Sequence, residues 1–167
     1  PLENDTLDVK KKLVPTSLAV SLRRKAPALS GVLISHPHQD HYGLLPLFPL
    51  VTPVYAGQFA SVLMKLTNEL SSWPKPWPTP KPISDGKTIR VGEFVVTPYL
   101  MDHSGFDSYA FLVEAEGKKQ FYSGDFRGHG RKKATFKRFI RNAPENIDTL
   151  ILEGTTIGSA RGATLSE

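Results

Sequence analysis

The feature that most constrains this chain is a short apolar run that breaks into histidines. Gly31-Val32-Leu33-Ile34-Ser35 carries β-branched residues and reads as a buried strand. His36-Pro37-His38-Gln39-Asp40-His41 follows at once, so three of the five histidines lie within six residues. In an extended backbone, residues two apart face the same side, and His36 and His38 can therefore reach one cation. Pro37 stiffens the segment between them. If the chain turns helical at Asp40-His41, those two side chains splay toward a second point nearby. Imidazole and carboxylate donors without thiolate suit zinc, iron or manganese. The competing reading is an incidental histidine-rich loop; four polar residues at fixed spacing on a strand's carboxyl end argue against it. The chain contains no cysteine, which removes disulfide scaffolds, thiolate metal sites and cysteine nucleophiles.

Two more strand ends carry metal-type donors. Val91 to Tyr99 reads as a strand, with Asp102-His103-Ser104-Gly105 after it, and Lys119 to Ser123 reads as a strand ending in Gly124-Asp125-Phe126. Ligand sites of open α/β sheets gather beyond the carboxyl ends of strands. Alone, His103 could be a structural histidine and Gly124-Asp125 a turn; with residues 36–41 they complete a set large enough for two metals.

The remaining elements alternate in type. Residues 42–50, interrupted by Pro46 and Pro49, read as a short broken helix, and Val54 to Ala56 as a strand. Apolar residues at 59, 62, 63, 66 and 70 predict an amphipathic helix from Gln58 to Leu70. Tyr109 to Glu114 and Lys119 to Ser123 flank a turn at Glu116-Gly117, residues 132–141 read as a helix, and Asp148 to Glu153 as a buried strand. Such alternation predicts a layered α/β domain. Within it, residues 73–82 place a proline at every second position and should form an extended polyproline connector packed by Trp73 and Trp77. A docking site for an aromatic-lined groove is the other reading of that run.

At 167 residues, 40% hydrophobic and 22% charged, the chain suits one folded domain rather than a disordered segment. No apolar run approaches the roughly 20 residues that span a bilayer, so no integral membrane protein is expected. Leu2 to Lys10 is polar and resembles no secretory signal; a cytoplasmic location is expected, with a targeting segment upstream of Pro1 as the alternative. The opening Pro1 and a closing stretch from Gly162 to Glu167 that reads as mid-loop suggest a piece of a longer protein.

The net charge of +5 gives a mild preference for anionic partners. Much of it is concentrated after Asp125, in Arg127, Arg131, Lys132, Lys133, Lys137, Arg138 and Arg141, with no acidic residue between 127 and 141. A helix would align Lys133, Lys137 and Arg141 on one face. Arg127 is close enough to Asp125 in sequence to meet a substrate phosphate. A solvated face and a phosphate-backbone footprint are both compatible with such a helix. Phe136 and Phe139 should face the core, so base stacking gains no support there.

His36-x-His38-x-Asp40-His41, His103 and Asp125 resemble the motif series of the metallo-β-lactamase-fold hydrolases over nearly the whole chain. Asp102-His103-Ser104, Ser123-Gly124-Asp125-Phe126 and Glu153-Gly154-Thr155-Thr156 are similar to the ribonuclease J branch. The resemblance implies a metallo-β-lactamase-type αββα layered sandwich, incomplete at both ends, with residues 1–167 as one partial domain. It implies two divalent ions, zinc before manganese or iron. His36, His38 and His103 would hold one; Asp40 and His41 would hold the other; Asp125 would bridge. The family's further histidine for the second metal has no counterpart after His129, which stands only four residues past Asp125. A metal-activated hydroxide would attack the substrate, with Asp40 orienting it. The implied substrate is RNA or another phosphodiester. A small-molecule ester, thioester or lactone is the alternative, and a non-catalytic binding module is a third.

Overall fold

The computed structural model describes residues 29–71 and 76–155. The first sheet is parallel, in spatial order β1 (Val32–Leu33), β2 (Val54–Gly57), β3 (Lys81–Ile83). Between β1 and β2 the chain forms α1 (Gln39–Tyr42) and a 3-10 turn (Leu45–Leu47), the broken helix anticipated around Pro46. The helix α2 (Gln58–Glu69) is the crossover from β2 to β3. Its residues contain neither Gly nor Pro, so nothing inside it interrupts the backbone ladder. A second sheet runs β4 (Ile89–Val91), β5 (Phe94–Leu100), β6 (Tyr109–Ala115), β7 (Lys118–Tyr122), β8 (Thr149–Ile151). It is antiparallel except for the β7–β8 pair, and α3 (Lys133–Arg141) links those two strands.

Side-chain alternation builds four layers. Along β6, Tyr109 and Phe111 pack with Val96, Ile83 and Leu33 between the sheets, while Ala110 and Leu112 pack with Met101, Phe121, Phe136 and Phe139 beneath α3. On the first sheet, Val54 and Ala56 join Ile34, Tyr42, Leu45 and Met64 on the α2 side, and Tyr55 turns into the inter-sheet layer. A strand buried on both faces must be apolar at successive positions, as Tyr109 to Val113 is. The order is helix, sheet, sheet, helix, the αββα sandwich. Phe111 is 1% exposed in the central layer, and its truncation to Ala would cost about 3–5 kcal/mol.

The structure revises four local expectations. Val91 to Tyr99 is a hairpin rather than one strand: Val91 pairs with Phe94 across Gly92-Glu93, and Gly92 has φ +61°. Lys81 and Pro82, the end of the proline run, enter β3, which among the described residues pairs only with β2; an edge tolerates a proline that cannot donate to a ladder. Trp77 packs edge-to-face on Tyr42 at 5.6 Å, while Trp73 lies outside the described residues. The α2 stripe of Phe59, Val62, Leu63, Leu66 and Leu70 faces outward and is exposed; Ala60 and Met64 make the buried side. Finally, β8 is an edge strand with Leu150, Ile151 and Leu152 exposed, not a buried one. The turn at Glu116-Gly117 does form, both residues having positive φ.

Candidate metal centre

The ends of the central strands meet at one rim of the sandwich. Past β1, Ile34 N–H donates to Tyr55 O, and Tyr109 N–H donates to Ser35 O at 2.8 Å, joining the first sheet to the second. His36 follows, fully buried, and His38 keeps an extended backbone at φ −79° and ψ 139°. The two imidazoles come together as neighbours on one side of the backbone, His36 Nε2 and His38 Nδ1 lying 3.0 Å apart. The turn into α1 then redirects Asp40 and His41.

His103 and Asp125 arrive from the second sheet, each three residues beyond its strand, β5 and β7. His103 Nε2 is 3.2 Å from His38 Nδ1. One ligand atom from each of His36, His38, His103 and Asp125 lies within 4.8 Å of all the others. Gly124 allows this approach. Its φ is +55°, and a Cβ there would stand 2.8 Å from Tyr109 O and 3.0 Å from Ser35 Cβ, so any other residue would push Asp125 away.

Asp125 faces both halves of the site. Its Oδ2 lies 3.8 Å from His36 Nε2 and 3.9 Å from His103 Nε2, and its Oδ1 lies 3.5 Å from His41 Nε2. His41 Nε2 in turn is 3.5 Å from Asp40 Oδ2, whose side chain is 79% exposed. The six sequence-predicted ligands are thus brought to one place: four converge, His41 stands against His36 with ring centroids 4.0 Å apart, and Asp40 lies at the solvent edge. His129 is not a member of the cluster.

Residues immediately beside the ligands orient them. Ser35 Oγ is 3.0 Å from His36 Nδ1 and 3.4 Å from His41 Nδ1. With both Nδ1–H groups donating to that oxygen, both Nε2 lone pairs point at Asp125. Burial first, and then the neighbouring histidines, push His36 down to about 3, so it is held neutral at ordinary pH. Burial and His38 also lower His103, against the opposing pull of Asp125. Ring nitrogens turned toward one another at 3.0–3.2 Å, with a carboxylate alongside, form a donor set that suits a divalent cation.

A second tier holds the loops. Asp102, fully buried, accepts Gly130 N–H at 2.7 Å and Lys132 N–H at 3.2 Å, and Arg127 Nε lies 3.7 Å from it. Arg127, the candidate phosphate contact, is accordingly seated over a buried carboxylate and only 19% exposed. Glu153 accepts Phe126 N–H at 2.8 Å. Burial alone would raise its carboxyl, but hydrogen bonds from Phe126 and Thr155 hold it below the ordinary value. The orienting role of Ser35 and the loop-holding role of Asp102 were missed from the sequence. Their only local signal is that each directly precedes a ligand histidine.

The β-lactamase superfamily domain family matches residues 7–164. The chain belongs to that superfamily. Among solved structures, this superfamily member is similar to a protein of unknown function from Enterococcus faecalis V583, with a TM-score of 0.71 at 21% identity over 85% of this chain and 35% of that one. It also resembles a HARLDQ-motif mutant metallo-β-lactamase of Cronobacter sakazakii, with a TM-score of 0.53 at 16% identity over 77% of this chain and 57% of that one. Both likenesses concern the fold. Among curated proteins it is 29% identical over 101 residues to ribonuclease J of Sinorhizobium meliloti and to that of Helicobacter pylori. The match takes in 59% of this chain and 18% and 15% of those proteins, so the chain spans less than a fifth of their length. No helix among the described residues is long and apolar enough to cross a membrane.

Proposed function

We propose that the protein is a metal-dependent hydrolase acting on phosphodiesters, RNA foremost. The observation that carries this reading is the division of Asp125: Oδ2 faces His36 and His103 while Oδ1 faces His41. That division is what a carboxylate shared between two cation positions requires. His36, His38 and His103 would hold one ion, Asp40 and His41 the other, zinc being the first choice for imidazole and carboxylate donors. A bound pair would lower the pKa of water toward neutrality and offset negative charge on the attacked centre.

The chain's own residues supply the rest. Ser35 Oγ, within reach of both Nδ1 atoms, would orient His36 and His41 by accepting their Nδ1–H groups and so leave their Nε2 lone pairs for an ion. Asp40, at the solvent edge 3.5 Å from His41, would orient the attacking water by accepting a hydrogen bond from it. Arg127 would meet a substrate phosphate through the part of its guanidinium that Asp102 leaves exposed. The exposed Lys133, Lys137 and Arg141 on α3 add positive potential beside the rim. The similarity to proteins named ribonuclease J supports RNA as the substrate.

Incubating the metal-loaded protein with single-stranded RNA, a simple phosphodiester, a thioester and a lactone tests the reading. Cleavage of the first two, with binding that weakens steeply with salt, is expected. Turnover confined to the thioester or lactone would overturn the phosphodiesterase assignment and favour the small-molecule alternative.

A further inference from the structure

Three residues beyond His103, the chain exposes an aromatic side chain at the lip of the histidine–aspartate cluster. Phe106 is 55% exposed and packs edge-to-face on Phe59, itself 58% exposed, with ring centroids 5.4 Å apart. Leaving two large rings in water forgoes the gain that burial would give them. They are nevertheless held firmly. Asp107 Oδ2 accepts Phe59 N–H at 2.9 Å, tying the loop to the start of α2, and Ser108 Oγ–H donates to Gly105 O at 2.7 Å. Gly57 makes room for that tie, since a Cβ there would stand 2.2 Å from Asp107 Oδ2.

The pair sits beside both the cluster and a cation. A Cβ on Gly105, the residue before Phe106, would be 3.3 Å from His36 Cδ2. Lys132 Nζ lies 5.7 Å from the Phe106 ring centroid and donates to Gly105 O at 3.0 Å. A rigid aromatic surface, an ammonium against it and a phosphate-processing cluster one residue away are the components of single-strand recognition. In that mode bases stack on aromatic rings while cations follow the backbone. The aromatics come from the first turn of α2 and the loop after β5, far from the basic stretch in sequence.

We propose that Phe106, supported by Phe59 and Lys132, is a stacking platform for a nucleobase of single-stranded nucleic acid, adjacent to the phosphodiester held at the cluster. The platform rests on the phosphodiesterase reading for its purpose, but its binding is measurable without turnover. The chemistry recognised is any base face next to a phosphate, so weak sequence preference follows.

The test uses a phosphorothioate-linked oligouridylate, which resists hydrolysis, and follows its binding to the metal-loaded protein by fluorescence anisotropy. Phe106→Leu, which keeps an apolar side chain but removes the ring, should weaken binding about ten- to a hundredfold. Phe106→Trp should retain or tighten it. The same oligomer made abasic should bind wild type and Phe106→Leu alike. With 5-iodouridine in the oligomer, irradiation should attach it to the peptide containing Phe106. Equal oligouridylate affinity in wild type and Phe106→Leu overturns the platform, as does an equal loss on the abasic oligomer. Cleavage of RNA with unchanged binding in Phe106→Leu would leave the phosphodiesterase reading standing without the platform. Base-dependent binding through Phe106 with no phosphodiester cleavage would do the reverse.

Discussion

The two halves of the histidine–aspartate cluster differ in what holds them. His36, His38 and His103 extend from the ends of β1 and β5, and their ligand atoms converge within 4.8 Å together with Asp125. Asp40 and His41 stand on α1, a helix of only four residues, and Asp40 is 79% exposed. Strand ends locked by ladder hydrogen bonds define positions tightly, whereas a one-turn helix leaves a side chain such as Asp40 free to move. Among the six ligands only Asp40 is open to solvent; His41, at 20% exposed, is as covered as Asp125 at 25%.

That contrast is open to direct attack. Asp125→Ala removes the carboxylate common to both halves and should abolish dinuclear metal content, measured by elemental analysis after dialysis; two ions still tightly held would refute the bridging role. Ser35→Ala removes the acceptor shared by His36 and His41, and metal affinity should fall about ten- to a hundredfold. A loss confined to the second ion would show that burial alone orients His36. Arg127→Ala probes the contrast from beneath, because it removes the cation beside the buried Asp102 carboxylate, which keeps its Gly130 and Lys132 N–H donors. Thermal or denaturant unfolding should show a loss of about 1–3 kcal/mol. In the same variant, turnover of anionic substrates should drop more than that of neutral ones; equal drops would leave Arg127 a purely structural role.

The smallest effect belongs to a surface pair remote from both halves and serves as a baseline. Asp148 accepts from Lys118 Nζ at 2.8 Å and from Lys119 N–H at 2.9 Å, and the Lys118 hydrogen bond, then the Lys119 one, hold its carboxyl below the ordinary value. A carboxyl depressed by folding stabilises above its unfolded pKa, about 3.9, and that contribution disappears as pH falls through the lower folded value. Asp148→Asn should therefore leave a slightly less stable protein at pH 7 and flatten the acid limb of its stability curve. An unchanged acid limb would show that the pair does not contribute.

Much of the histidine–aspartate cluster was legible because these members are local to strand ends: His36 and His38 two apart, His103 and Asp125 each just past an apolar run. The interior of the second sheet was legible for a related reason, since Tyr109 to Val113 is apolar at every position and must be covered on both faces. The helix α2 shows where such reading stops. Its periodicity marks a stripe at 59, 62, 63, 66 and 70, yet the sheet takes the neighbouring face with Ala60 and Met64. Periodicity reports that apolar residues share a side; it does not report which side lies against a sheet. The run Leu150-Ile151-Leu152 misleads similarly, because continuous apolarity signals burial but β8 occupies an edge.

Sequence by itself determined the donor types, their places after strands and the alternation that predicts a layered α/β domain, because these follow from backbone periodicity and side-chain chemistry at neighbouring positions. Only the tertiary structure decided that the two oxygens of Asp125 turn to different histidines, that Ser35 serves two imidazoles at once, and that Phe59 and Phe106 meet beside Lys132. Those relations join residues many positions apart, and such distances are set by how the sheets and helices pack against one another.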